Sequence, residues 1–315
     1  MTRTDLVVLF PGQGSQAIGM LSALAAAHPA IRSTFDEASA AIGLDLWALS
    51  QEGPESELNR TMNTQPALLA AGVAVWRAWR AAGGAEPAAM AGHSLGEYTA
   101  LVCADAISLT DATRLVRERG RLMQEAVPQG VGAMPAVLNA DLSLLADVCA
   151  QVSTDAEPVV PANLNAPGQI VLSGAAAALD RALVALAERG VKRAIRLPVS
   201  VPSHSPLMRG AAERLAMSLM QVPILAPRIR VLHNADVAAH TDPDAIRAAL
   251  TMQLYAPVRW IETVEKLVAA GATRALECGP GKVLSGMLKR IAPAVEAHPI
   301  GEPAGFDAAL AGLHS

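Results

Sequence analysis

The chain has 315 residues, 52% of them hydrophobic and 17% charged, which is ample material for a large core and excludes a disordered chain. Lys and Arg number 25 against 29 Asp and Glu, a formal net charge of -4; with aromatics at only 3%, neither a basic field nor a stacking surface for nucleic acid is present. Three scattered cysteines, Cys103, Cys149 and Cys278, form neither a disulfide framework nor a metal site and read as buried thiols in a reducing compartment.

Residues 6–10 read as a buried strand stopped by Pro11-Gly12-Gln13-Gly14, an apolar run too short for the centre of a signal peptide. Helical patterns follow to Ala38 and then over 66–81, where Pro66 suits a first turn. Residues 88–91 make a weak strand, because alanine packs poorly on a pleat. They run into Gly92-His93-Ser94-Leu95-Gly96-Glu97-Tyr98 and a helix to about Ala104. Thr110 is the expected cap of a helix that continues to Ala126.

Between 131 and 199 the order is strand 131–137, helix 141–151, strand 158–163, strand 169–173, helix 175–189 and strand 193–199, the βαββαβ order of a ferredoxin-like unit. Gly and Pro punctuate both of its flanks. Beyond it come helix 207–220, strand 228–233, two helical stretches within 242–270, strand 273–278 and helix 282–291. The expected fold is α/β: a large domain with a mostly parallel sheet, residues 1–127 and 201–315, interrupted by a small ferredoxin-like domain, 128–200. The longest uncharged stretch, 158–179, is broken by Pro161, Pro167 and Gly168, so no membrane span is expected and a soluble, cytoplasmic chain is.

Gly92-His93-Ser94-Leu95-Gly96 fits G-x-S-x-G, a tight strand-to-helix turn that exposes a serine hydroxyl at a helix start. The Leu95 amide would then face a developing oxyanion. The same residues allow a second reading, a capping box in which Ser94 and Glu97 only satisfy helix-start amides. A serine nucleophile needs a base. Among seven histidines (His28, His93, His204, His233, His240, His298, His314), His204 leads because it sits in the stiff loop Pro202-Ser203-His204-Ser205-Pro206, and His233 is second. His93, next to Ser94, is expected to point away from it.

Arg119 is informative on physical grounds alone. On the helix after Thr110 it falls in the stripe of Ala112, Leu115, Val116, Leu122 and Met123, while Arg114, Arg117 and Arg121 fall on the opposite side. A guanidinium placed where leucine belongs needs a carboxylate. That partner is either an internal acid or one brought by a substrate and held bidentately.

Together, Phe10-Pro11-Gly12-Gln13-Gly14-Ser15-Gln16, Gly92 to Tyr98, Arg119-Gly120, Pro202-Ser203-His204 and Gly279-Pro280-Gly281 resemble, in order and over nearly the whole chain, the malonyl-CoA:acyl carrier protein transacylases of bacterial fatty acid synthesis. The resemblance implies an α/β-hydrolase-like large domain with a ferredoxin-like small one. It implies Ser94 as the acylated nucleophile, His204 as its base, Gln253 orienting the histidine, and the Gln13 and Leu95 amides as the oxyanion hole. Arg119 becomes the clamp for the malonyl carboxylate, and Asn163 and Asn165 lie near the cleft. It further implies malonyl-CoA and an acidic acyl carrier protein as partners, with no metal or prosthetic group. Lys289-Arg290 and Lys192-Arg193 are candidate docking residues, and a monomer is expected. Two departures stand out: Pro135 puts strand pairing in doubt, and Ser203 precedes the histidine where some polyketide relatives carry phenylalanine. A serine hydrolase, a non-catalytic binding module, and the acyltransferase of a polyketide or malonate decarboxylase system are the rival readings.

Overall fold

The computed structural model describes residues 2–128, 130–197 and 201–313. One sheet is parallel throughout and runs from edge to edge as Glu296–Pro299, Arg274–Glu277, Thr2–Phe10, Glu86–Gly92 and Arg230–Leu232. In its middle strand Leu6, Val8 and Phe10 face one apolar cluster, whereas Val7 and Leu9 face another. That is the period-two alternation of a strand covered by helices on both faces.

The alanine-rich strand is longer than expected, Glu86–Gly92, and lies inside the sheet. Met90 joins one cluster, Ala89 and Ala91 the other. Burial on both faces, where small side chains let covering elements come close, overrides alanine's poor strand propensity.

The helix expected from Pro66 begins earlier, at Thr61, and runs to Ala81 with Pro66 inside it. Its first turn is anchored by polar contacts that no hydrophobic pattern reveals. Asn63 Nδ2 donates to Glu57 O (3.0 Å) and Thr64 Oγ1 to Leu58 O (2.5 Å). The next long helix, Leu109–Glu125, is capped by Ser108, whose hydroxyl accepts from the Asp111 amide, and not by Thr110. It packs closely on the helix Thr61–Ala81 at Gly120, where a Cβ would stand 2.7 Å from Thr61 O.

The second sheet is antiparallel and follows the expected βαββαβ order, with the outer strand Val159–Ala166 beside Gln169–Ala175, then Pro135–Leu138, then Ala194–Arg196. Its first strand is split at Met134 into Gly132–Ala133 and Pro135–Leu138, as a residue without an amide requires. Helices Leu142–Val152 and Ala176–Glu188 cover it. The expected last strand, 193–199, is seen as Ala194–Arg196; 198–200 and His314 fall outside the described residues. The antiparallel sheet is tied to the rest of the chain by backbone bonds at Val258, where Leu164 N donates to Val258 O (2.9 Å) and Val258 N to Ala162 O (2.8 Å). This holds the strand that carries Asn163 and Asn165 against the parallel unit.

Beyond the elements expected, the structure adds the edge strand Glu296–Pro299 and the helix Pro303–Leu313. All three cysteines are free and buried. Among the described residues, no helix is long and apolar enough to cross a membrane.

Candidate active site

Strand Glu86–Gly92 delivers Ser94 to the mouth of the helix Gly96–Cys103. The turn is so tight that a Cβ on Gly92 would lie 1.9 Å from the Gly96 carbonyl, and one on Gly96 would lie 2.1 Å from Phe10 O. Ser94 itself has φ 52, a left-handed conformation costly for a residue with a side chain unless its surroundings enforce it. Asn234 enforces it: its Oδ1 accepts the Ser94 amide (2.6 Å) and its Nδ2 donates to Gly92 O (2.7 Å). The capping-box reading fails, because the Ser94 hydroxyl and the Glu97 carboxylate both turn away from the helix start to other partners.

The Ser94 hydroxyl lies 2.8 Å from His204 Nε2. On its other side, His204 Nδ1 lies 2.7 Å from Gln253 O. A carbonyl can only accept, so Nδ1 carries the proton and Nε2 is left as the acceptor facing the serine. His204 also has a left-handed backbone, φ 61, and its own amide donates to Leu254 O (2.9 Å). Burial, joined by the nearby Arg119 charge, pushes its pKa down to about 3. The imidazole is therefore neutral at physiological pH.

Arg119 is 1% exposed, buried in the stripe the sequence predicted. Among the described residues no acid touches it. Nη1 donates to Gln65 Oε1 (2.8 Å), and Nη2 donates to Gln253 Oε1 (2.9 Å) and reaches Ser94 Oγ at 3.3 Å. Nε has no partner, and the guanidinium lies 5.4 Å from the centre of the Tyr98 ring. Burial lowers its pKa, opposed by Tyr98 and Glu97. The internal-acid reading is thus excluded for the described residues: two neutral amides hold the guanidinium beside the hydroxyl with donor capacity to spare.

These three side chains meet in a cavity of about 90 Å³ walled by Met123, Met134 and Val201. Gln13 and Leu95 also line it. Neither of their amides has a hydrogen-bond acceptor among the described residues, so both are free to face an oxyanion. Asn163 lines the cavity with its Oδ1 unpartnered. Asn165 does not line it: its Oδ1 is held by His93 Nε2 at 2.8 Å. His93 also borders the cavity, but its ring is turned to Asn165 and Trp260 and makes no bond to Ser94. No cluster of three His, Cys, Asp or Glu suited to a metal occurs among the described residues.

The model of the acyl transferase domain matches residues 7–297. The chain belongs to this family. It is 52% identical to the malonyl CoA-acyl carrier protein transacylase of Salmonella typhimurium, over 98% of this chain and 99% of that one. The crystal structure of the malonyl-CoA:acyl carrier protein transacylase of Xanthomonas oryzae superposes with a TM-score of 0.98 at 56% identity, covering 99% of each chain. A malonyl-transacylase solved in complex with a type II PKS acyl-carrier protein superposes at 0.96 with 49% identity, covering 98% of this chain and 99% of that one.

Gln65 and Asn234 of this acyltransferase site escaped the sequence reading, as did Glu97 and His233 in their actual roles. His233 is no second base for Ser94, since its Nδ1 lies 2.7 Å from Glu97 Oε1 with both side chains fully buried. The signal at Gln65 is faint, since it follows the polar Thr61, Asn63 and Thr64 and only the run after it, 66–76, is apolar. Gln253 acts through two groups: its backbone carbonyl meets the histidine while its side chain holds Arg119. Of the docking candidates, Lys192, Arg193 and Lys289 are exposed. Arg290 is engaged, donating to Gln169 Oε1 (2.7 Å) and Pro167 O (2.5 Å) across to the antiparallel unit.

Proposed function

We propose that the chain moves a malonyl group from malonyl-CoA to the phosphopantetheine thiol of an acyl carrier protein for fatty acid synthesis, through a malonyl ester on Ser94. The observation that carries this reading is a buried arginine, 3.3 Å from the reactive hydroxyl, with no acidic partner among the described residues. A malonyl carboxylate supplies the charge that Arg119 lacks, and pairing it there sets the thioester carbonyl beside Ser94.

His204 Nε2 takes the Ser94 proton as Oγ attacks the thioester carbon. The tetrahedral oxygen accepts from the Gln13 and Leu95 amides, each contact of this type being worth about 3 kcal/mol of barrier. The C–S bond breaks, and the departing CoA sulfur takes the proton back from His204. In the second half, His204 deprotonates the pantetheine thiol, which attacks the ester carbon; the Ser94 oxygen leaves and is reprotonated. The protein's own residues supply every group used.

Intact mass measurement after brief exposure to malonyl-CoA tests the reading. A malonyl adduct is expected on the native chain, absent from Ser94→Ala and discharged by holo carrier protein. Discharge by water as fast as by carrier protein would make the chain a hydrolase, and no adduct at all would leave it a binding module.

The depressed His204 pKa gives a prediction with a definite sign. A group whose pKa is lowered stays deprotonated as pH falls, so the base form persists well below the ordinary histidine range near 6.5. The kcat/KM of Ser94 acylation is therefore expected to stay level from about pH 8 to about pH 5. An acid limb centred near 6.5, measured by rapid quench, would contradict it.

The division into 1–127 with 201–315 and an inserted 128–200 belongs to the same proposal, and the antiparallel strands, which all fall between Gly132 and Arg196, support it. We also read a cytoplasmic monomer, its buried free thiols suited to a reducing compartment. The exposed cations Lys192, Arg193 and Lys289 are the surface offered to an acidic carrier.

A further inference from the structure

We propose that Glu97 is a positioning residue for acyl selectivity: its carboxylate locks the Gln253 amide in the one orientation that holds Arg119 open for a substrate carboxylate. The proposal rests on the malonyl reading of Arg119 given above.

Glu97 is completely buried on the first turn of the helix behind the elbow. Its Oε2 accepts from the Asn234 amide (2.9 Å) and from Gln253 Nε2 (2.8 Å), and its Oε1 meets His233 Nδ1 (2.7 Å). The carboxylate therefore joins two supports of the site, Asn234 and Gln253. Asn234 fixes the Ser94 backbone, and Gln253 fixes Arg119 and, through its carbonyl, His204.

A primary amide keeps nearly the same shape when turned over, so its surroundings decide which end faces a neighbour. Gln253 Nε2 lies between two groups that can only accept, the Ser94 carbonyl at 3.0 Å and the Glu97 carboxylate. Its oxygen must then face Arg119 Nη2. Without the carboxylate only the Ser94 carbonyl would hold Nε2 in place, and an amide turned over would set donor against donor at the guanidinium.

The arrangement also keeps a negative charge near Arg119 without spending the guanidinium on it. A direct ion pair would close the fork to substrate. An amide between the acid and the arginine offsets part of the cost of burial and leaves Nε unpartnered. His233 steadies the acid: burial disfavours charge on its imidazole, but the Glu97 carboxylate prevails and raises its pKa.

The test compares kcat/KM for malonyl-CoA and acetyl-CoA in Glu97→Met, Glu97→Asp and Glu97→Gln. The first two withdraw the oxygen from Gln253; in them the malonyl-to-acetyl ratio is expected to fall about tenfold or more, chiefly through KM for malonyl-CoA. Glu97→Gln keeps an oxygen for Gln253 Nε2 and is expected to retain the ratio. Should Glu97→Met not fold, Glu97→Asp carries the same prediction. An unchanged ratio in either folded variant overturns the proposal, as does an equal loss for both substrates, or a loss in Glu97→Gln matching that in Glu97→Asp. Arg119→Met is run beside them. If it loses both substrates equally, the malonyl reading itself falls and takes this proposal with it; if it loses malonyl alone while the Glu97 variants keep the ratio, only the role of Glu97 is refuted.

Discussion

The His204→Ala variant is expected to acylate Ser94 about a thousandfold more slowly than the native chain, with KM for malonyl-CoA nearly unchanged. The rate falls because Nε2 is the acceptor touching the Ser94 hydroxyl, and its tautomer is fixed by the Gln253 carbonyl on the other side. Binding persists because Arg119 is held by the Gln65 and Gln253 side chains and the elbow by Asn234, none of which depends on the imidazole. What activity remains would come from the free amides of Gln13 and Leu95 and from substrate positioning. Single-turnover adduct formation is the measurement. A loss smaller than about tenfold would show that another group receives the proton, and the first to examine would be His93, which borders the same cavity with Nε2 occupied by Asn165.

Arg119 and Ser94 were legible in the sequence because each breaks a local rule. A charge inside a helical apolar stripe and a G-x-S-x-G turn both show within a few residues, and packing then only had to agree with them. The βαββαβ insertion was legible for a similar reason, since its alternating periods and Gly/Pro flanks are local signals. The edge strand Glu296–Pro299 was not: none of its four residues is fully buried, and its sequence, Glu-Ala-His-Pro, has no strand signature. Pro66 misled because a proline prefers a first turn, whereas here the polar anchors of Asn63 and Thr64 extend the helix ahead of it. Asn165 misled because residues two apart on a regular strand share a face, whereas this strand shifts register between Pro161 and Asn163 and again between Leu164 and Ala166; Asn163 lines the cavity while Asn165 is taken up by His93. The network of Gln65, Glu97, Asn234 and Gln253 was out of reach, because its bonds join residues separated by as much as 159 positions.

In the Arg119→Met variant, kcat/KM for malonyl-CoA is expected to fall by roughly two to three powers of ten, while kcat/KM for acetyl-CoA changes little or rises. The magnitude follows from what remains. A substrate carboxylate entering a buried site without its counter-charge costs about 3–5 kcal/mol, and each 1.4 kcal/mol is roughly a factor of ten. Methionine keeps much of the volume, so the walls formed by Met123 and Met134 stay packed and Ser94 remains held by Asn234. Acetyl-CoA brings no carboxylate. For it the native enzyme leaves a buried guanidinium without a charge partner, a state that already suffers the desolvation depressing the Arg119 pKa. Removing that cation relieves the site and, by taking away one of the charges that lower the His204 pKa, makes the base slightly stronger. The two substrates should therefore move apart in opposite senses, which simple damage to the fold cannot produce. Equal losses with both would return Arg119 to a structural role and remove the basis for malonyl specificity.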